Sequence, residues 1–122
     1  MKFNMRLKQD IEKYKSYIIL VEGKKDVQAL KSFGFENVYA IHQTSVSIRE
    51  RLEEISKLLT KKDKVCVLTD LDKRGKQLYM IIKPILQELG IKIDSSLRGI
   101  LIKAHISHIE GISSFLSQVE NS

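Results

Sequence analysis

Apolar residues occur along the chain in short continuous runs that alternate with segments of helical spacing. The continuous runs are rich in β-branched residues, as in strands buried on both faces, and they cover 17–21, 37–41 and 65–70. Apolar residues at helical spacing follow each run and predict helices over 24–33, 48–59 and 75–89. Strands and helices alternating in this way predict an α/β fold, in which helices cover both faces of a mostly parallel sheet.

Local signals mark several helix ends. Ser47 is suited to cap a helix that begins at Ile48, and Glu50, three residues later, makes a capping box. Gly34 and Gly90 predict helix stops. Pro84 lies inside the 75–89 helix and predicts a local kink or a lost hydrogen bond there.

The C-terminal third has a less regular pattern. The sequence IKID at 91–94 alternates like a short strand, whereas the apolar spacing that follows predicts a helix over 96–103 despite Gly99. The stretch HISHIEG at 105–111 is then predicted to be the fourth core strand or an edge strand, and 112–119 a short terminal helix.

The N-terminal segment leaves two interpretations open. Residues 1–16 mix five cations with scattered apolar residues, as in a short amphipathic helix or a basic arm. No linker rich in Gly, Ser or Pro divides the rest of the chain. The predicted organisation is therefore this helix or arm over 1–16 and a single domain over 17–122.

Composition and charge narrow the classes of protein. A chain of 122 residues suits one domain, and 43% hydrophobic with 30% charged residues is an ordinary globular composition. The net charge of +6 favours a polyanionic partner. Cys66 is the only cysteine and lies in an apolar run, which predicts a small buried side chain rather than a disulfide or zinc site. Since no signal peptide or membrane-spanning run is visible, we expect a cytoplasmic protein without a membrane partner.

Acidic side chains stand where two predicted strands end. Glu22 follows the first strand, and Asp70 and Asp72 follow the third. Ligands of open parallel sheets bind outside the carboxyl ends of the strands, so these acids converge if the two strands are neighbours. A hard divalent ion such as Mg²⁺ accepts carboxylate ligands and takes phosphate oxygens in the rest of its shell. Each motif alone also fits a solvated turn, whereas the combination of the two indicates a metal site.

The residues around these acids resemble two signature motifs of a known family. The stretches IILVEGKKDVQAL (18–30) and VCVLTDLDKRGKQL (65–78) are similar to the motifs of the Toprim domain. Topoisomerases of types IA and II, bacterial primases, ribosomal-RNA maturation nucleases, old-type nucleases and recombination-repair proteins share this domain. The resemblance extends over about 17–89. It implies a three-layer Rossmann-like fold with a mostly parallel four-stranded sheet flanked by helices.

The resemblance also implies roles for individual residues. Glu22 corresponds to the family's general acid or base, or to a metal ligand, and Asp70 and Asp72 to its ligands of Mg²⁺, with Mn²⁺ as the alternative ion. Gly23 and Gly75 match the family's glycines. The recurrent family acid, whose role is structural, falls on Asp26.

Cations flank both acidic motifs and are the expected phosphate-binding residues. Lys24 and Lys25 start the first helix of the domain, where an anion is favoured. The others follow the aspartates, namely Lys73, Arg74 and Lys76. The alternative for each is an ordinary solvated lysine or arginine.

Several further side chains are weaker candidates. His42 stands at a strand end near the predicted crevice and is a candidate substrate contact, and Glu110 is a candidate rim carboxylate. Arg98 is a weak phosphate candidate. The remaining histidines, His105 and His108, are interpreted as structural or surface residues.

The sequence is compatible with three functions. The first is a Mg²⁺-dependent nuclease acting on RNA or DNA, with Glu22 as catalytic residue. The second is a non-catalytic metal- and nucleic-acid-binding module that works with a protein partner or within a larger complex. The third, a regulatory domain with a receiver-like acidic pocket, is disfavoured by the Glu22–Gly23 pair. A topoisomerase or a primase is not predicted, because no tyrosine has a nucleophile's context and 122 residues cannot hold a primase's other regions.

Overall fold

The structure is a computed structural model that describes residues 5–106, 108 and 109. Its sheet contains four strands, β1 (Ile18–Val21), β2 (Asn37–Ala40), β3 (Lys64–Leu68) and β4 (Lys92–Ile93). They stand in the order β2-β1-β3-β4, and all three pairings are parallel. The helices are α1 (Met5–Glu12), α2 (Lys24–Ser32), α3 (Ile48–Ser56), α4 (Lys73–Glu88) and α5 (Ser96–Lys103). The predicted parallel α/β sheet with flanking helices is confirmed.

Helix starts follow the local capping chemistry. Ser47 caps α3 as predicted, and its hydroxyl accepts a hydrogen bond from the Glu50 amide at 3.1 Å. Helix α4 starts at Lys73 rather than at Gly75, because Asp72 is its N-cap residue. The helix then continues through Pro84 to Glu88.

The prediction of a fourth strand at 105–111 was wrong for the residues that the structure describes. The fourth strand is Lys92–Ile93 instead. Helix α5 ends at Lys103 with Ala104 as its C-cap residue, and His105 has a φ of 59°, in the left-handed region that reverses the chain after a helix. The amide of Ile106 then donates to the carbonyl of Leu101, which closes the helix end, and none of residues 105, 106, 108 and 109 lies in a strand. The predicted helix at 112–119 lies outside the described residues.

The sheet separates two apolar clusters, because neighbouring residues of a strand point to opposite faces. Ile19 and Cys66 face a cluster with α1, α2 and α5, whereas Leu20 and Val67 face one with α3 and α4. Ile11 of α1 belongs to the first cluster and is 1% exposed, so the N-terminal helix packs into this cluster, in contact with α5. In the part of the chain that the structure describes, no helix has the length and hydropathy needed to cross a membrane.

Candidate metal and phosphate site

The two acidic motifs lie side by side because β1 and β3 are neighbours. Val21 and Leu68 are partners at the carboxyl ends of these strands. One step further, the Asp70 amide donates a hydrogen bond to Glu22 Oε1 at 3.2 Å. The convergence of Glu22 with Asp70, expected from the strand-end rule, is therefore present in the fold.

Asp72 is held by the helix that it starts. Its Oδ1 atom accepts a hydrogen bond from the Gly75 amide at 2.8 Å, and its carbonyl accepts one from the Lys76 amide at 3.0 Å. A carboxylate at a helix N-terminus is also favoured by the helix dipole. One oxygen of Asp72 thus fixes the turn, while the other remains for a further partner.

Gly75 allows the turn to close on itself. A Cβ atom at this position would overlap the carbonyl group of Asp70, which is backbone and cannot swing away. Across the same turn, the buried Thr69 hydroxyl donates to the Gly75 carbonyl at 2.7 Å. The close approach explains why glycine stands here.

Arg98 lies behind this turn as a buried cation. Its guanidinium is part of a residue only 7% exposed, and Nη1 donates to the Thr69 carbonyl at 2.8 Å and to the Thr69 hydroxyl at 3.1 Å. The group also stands 4.5 Å from the ring centre of Tyr79, a cation–π distance. Burial lowers the pKa of Arg98, while Tyr79, Glu22 and Asp70 act in the opposite direction. An arginine remains protonated under such shifts, so the acids have a fixed positive charge behind them.

His108 reaches the aspartates from beyond α5. Its Nε2 atom is 3.3 Å from Asp72 Oδ2, and the amide of the next residue, Ile109, donates to Asp70 Oδ1 at 2.9 Å. Asp70, Asp72 and His108 each offer one ligand atom within 4.8 Å of the others, a group that can hold a metal ion. The His108 side chain is exposed, in keeping with its interpretation as a surface residue, but its place beside Asp72 was not predicted. No local spacing signals it, because it follows a chain reversal far from Asp72 in sequence.

A cavity of about 430 Å³ opens at this edge of the sheet. Its lining includes three acids, two lysines and two histidines, namely Glu22, Asp26, Asp70, Lys24, Lys25, His42 and His108, together with Gly23. The His42 amide donates to the Glu22 carbonyl at 2.9 Å, which places this histidine beside the first motif as expected. Glu22 faces the cavity but is not one of the three residues in the metal-holding group among the described residues.

The predicted cations occupy two different places. Lys24 and Lys25 are exposed at the start of α2 and line the cavity. Lys73, Arg74 and Lys76 are exposed on the first turn of α4, and they are not among the residues that line it. The structure thus puts the lysines of the first motif closer to the acids' cavity.

Two of the remaining residues, Asp26 and Cys66, have structural roles. Asp26 accepts a hydrogen bond from the Gly23 amide at 3.4 Å, across the start of α2. Cys66 is fully buried in the core, as expected, and burial raises the pKa of its thiol to about 12. Glu110 lies outside the described residues.

The donor set fits a divalent ion. Two carboxylates and an imidazole are common ligands of such ions, and the three ligand atoms lie within 4.8 Å of one another. The adjoining cavity gives a phosphate room beside the group, and its lysines match an anionic ligand.

Comparison with known proteins places these features in a family. The family model of the Toprim domain matches residues 17–97. A UPF0292 protein of Methanocaldococcus jannaschii is 33% identical over 108 residues, covering 83% of this chain and 77% of that protein. Ribonuclease M5 of Mesoplasma florum is 38% identical over 61 residues, which cover 50% of this chain and 35% of the ribonuclease. A solved structure of an Aquifex aeolicus protein matches with a TM-score of 0.71 and 32% identity, over 88% of this chain and 97% of that one. The chain therefore belongs to the Toprim domain family.

Proposed function

We propose that this protein is a divalent-metal-dependent nuclease that hydrolyses phosphodiester bonds of nucleic acid. The observation that carries the proposal is that Glu22 and Asp70 meet at one cavity lined by lysines. Asp70 also belongs, with Asp72 and His108, to the group that can hold a metal ion. Carboxylates alone would repel a phosphate, so a site that brings acids and lysines to one cavity suits a bound cation and an anionic substrate.

The side chains divide the work in the proposed reaction. Asp70 and Asp72 would hold the ion, which, when bound, polarises the phosphate and stabilises the developing charge. Lys24 and Lys25 would bind neighbouring phosphate oxygens as point charges. Glu22 would take a proton from the attacking water or give one to the leaving oxygen. One hydrogen bond from Asp70 leaves Glu22 free acceptor positions for this role, since an ionised carboxylate has about four lone-pair sites.

RNA is the favoured substrate. The Toprim relative in Mesoplasma florum is a ribonuclease by name, and its match covers half of this chain. The metal is proposed to be Mg²⁺ or Mn²⁺.

The second candidate function is a binding module that does not cut, and it is suggested by how little of the ribonuclease the alignment covers. The alignment covers only 35% of the ribonuclease, so cleavage there can depend on segments that this chain does not share. On this alternative, the same site binds metal and nucleic acid without cutting, and a protein partner or larger complex supplies the rest.

A nuclease assay separates the two functions. Single- and double-stranded RNA and DNA would be incubated with the protein and Mg²⁺ or Mn²⁺. Glu22→Gln keeps an acceptor for the Asp70 amide while removing the acid–base group, so we expect a loss of roughly 10²-fold or more in the cleavage rate. Asp70→Asn should have a comparable effect through the metal. Glu36→Gln, an exposed acid next to the amino end of β2, is the matched control.

The outcomes assign the function directly. Cleavage that neither Glu22→Gln nor Asp70→Asn reduces would contradict the nuclease proposal. Metal-dependent binding of RNA without cleavage by the wild type would favour the module.

A further inference from the structure

His108 brings a nitrogen ligand to a pair of aspartates. We infer that Asp70, Asp72 and His108 form one metal site, and that this histidine makes the site prefer first-row transition ions over Mg²⁺. The inference rests on the proposed metal-dependent function and adds the identity of the ion to it.

The first argument is that the fold delivers this histidine to the aspartates. Left-handed His105 turns the chain at the end of α5, and the side chains of Ile106 and Ile109 are buried in the apolar cluster on that face of the sheet. Between these anchors, the Ile109 amide binds Asp70 Oδ1, and His108 points its Nε2 atom to Asp72 Oδ2. The buried Ile106 and Ile109 therefore hold the backbone in place on both sides of His108.

The second argument is the division of oxygen atoms in the aspartates. A backbone amide binds one oxygen of each, Ile109 on Asp70 and Gly75 on Asp72. These hydrogen bonds orient both carboxylates, as outer-shell donors do in metal sites. The second oxygen of Asp72 is the one that faces the imidazole.

The third argument is the chemistry of the donors. Mg²⁺ takes oxygen ligands and keeps several waters, whereas an imidazole nitrogen suits transition ions and is a common metal ligand. For sites of this kind, affinity rises from Mn²⁺ to Co²⁺. His108 has a side chain that is 58% exposed, so an ion from solvent can reach its nitrogen.

Metal titrations of the full chain test the inference. Chelator-stripped protein would be titrated with Mg²⁺, Mn²⁺ and Co²⁺ by calorimetry. We expect the wild type to bind Co²⁺ and Mn²⁺ more tightly than Mg²⁺. His108→Gln should lower the affinity for Co²⁺ by roughly 10-fold or more, since even outer-shell changes have effects of this size. The affinity for Mg²⁺ should change by less than about 3-fold.

A control variant at His42 and a spectrum of bound Mn²⁺ distinguish direct metal binding by His108 from a purely structural role. His42→Gln removes the other histidine of the same cavity and should leave the ratio of Co²⁺ to Mg²⁺ affinity unchanged. With Mn²⁺ bound, the electron spin echo of the wild type should show modulation from a directly bound nitrogen, and this modulation should be lost in His108→Gln. Thermal unfolding without metal would verify that the variant folds.

Two results would overturn the inference, and they differ in what else they overturn. If His108→Gln weakens all three ions by the same factor, or leaves the nitrogen modulation intact, only the role of His108 is contradicted. If the wild type binds none of the three ions, the metal-dependent function fails as well.

Discussion

The ends of β1 and β3 carry the same kinds of residue, an acid, a glycine and cations, but the chain builds them differently. At the end of β3, Gly75 is in close contact with the Asp70 backbone, and Thr69 and Arg98 bind across the turn. At the end of β1, a Cβ atom added to Gly23 would meet no atom within 4 Å. The β3 turn is closely packed at its glycine, whereas the β1 turn is open at its glycine and borders the cavity.

This difference indicates a division of roles between the two motifs. The β3 turn fixes Asp70 and Asp72 before any ligand arrives, as preorganised metal ligands require. The β1 turn presents Glu22 and two lysines to whatever enters the cavity. A match to the Toprim motifs treats both glycines alike, whereas the packing separates them.

Substituting each glycine by alanine tests this comparison most strongly. Gly75→Ala places a methyl group on the Asp70 carbonyl, so we expect a loss of about 3 kcal/mol or more in the free energy of unfolding. Gly23→Ala adds a methyl group in open space on extended backbone, with φ −144°, and should cost about 0.5–1 kcal/mol as a poorer N-cap residue. Urea unfolding of both variants measures the difference. Equal losses would show that the two turns are packed alike.

The buried guanidinium is the next test of the packed turn. Arg98→Met removes the donors to the Thr69 carbonyl and hydroxyl. We expect the free energy of unfolding to fall by about 2–3 kcal/mol, because the buried oxygens lose this partner. Arg98→Lys keeps the charge but not the planar fork, so its loss should be smaller, about 1–2 kcal/mol.

Hydrogen exchange shows where the Arg98 variants loosen the molecule. The Gly75 amide, which binds Asp72, should exchange faster in both variants. The Val27 amide, which binds the Gly23 carbonyl at the start of α2, should be unchanged. Uniform acceleration at both places would contradict a local role for Arg98.

Sequence patterns predicted the parts of this site that depend on local signals. The apolar runs predicted β1 and β3, and the rule for strand ends predicted that Glu22 and Asp70 meet. Ser47 was predicted as a cap because capping depends on residues three positions apart. The β4 strand, Lys92–Ile93, lies within the stretch 91–94 whose alternation is strand-like, but two residues are too few for that pattern to mark it as the fourth strand of the sheet.

The residues that the patterns missed depend on tertiary contacts. His108 reaches Asp72 through a left-handed turn at His105, a conformation that is uncommon in residues other than glycine. Arg98 was only a weak phosphate candidate from the sequence, and its burial was not predicted, since an arginine is seldom buried. Its burial depends on the backbone oxygens of Thr69, which only the folded sheet brings to it.

Asp72 allows the structural and the metal-binding roles of one carboxylate to be separated. Asp72→Ser keeps a capping hydroxyl for α4 but removes the oxygen that faces His108. Asp72→Ala removes both, and should be less stable than Asp72→Ser by about 1 kcal/mol. Both variants should lose metal affinity, by roughly 10-fold or more.

Urea unfolding in chelator and calorimetry with Mn²⁺ measure the two effects in parallel. Unchanged Mn²⁺ affinity in Asp72→Ser would remove Asp72 from the metal site. Equal stability of the serine and alanine variants would contradict its capping role.

The smallest expected effect concerns the cations beside the two turns. Lys24→Gln with Lys25→Gln removes two charges that line the cavity, whereas Lys73→Gln with Lys76→Gln removes two from the first turn of α4. The two double variants have the same net charge, so any difference in nucleic-acid binding reflects position alone.

If each cavity lysine neutralises one phosphate, the first pair should reduce the magnitude of the slope of log K against log salt by roughly 1.5, and the second pair by less than half of that. Binding of a single-stranded RNA at several salt concentrations measures both slopes. Equal slopes would mean that the nucleic acid follows both turns, and the open turn of β1 would then have no special part in binding it.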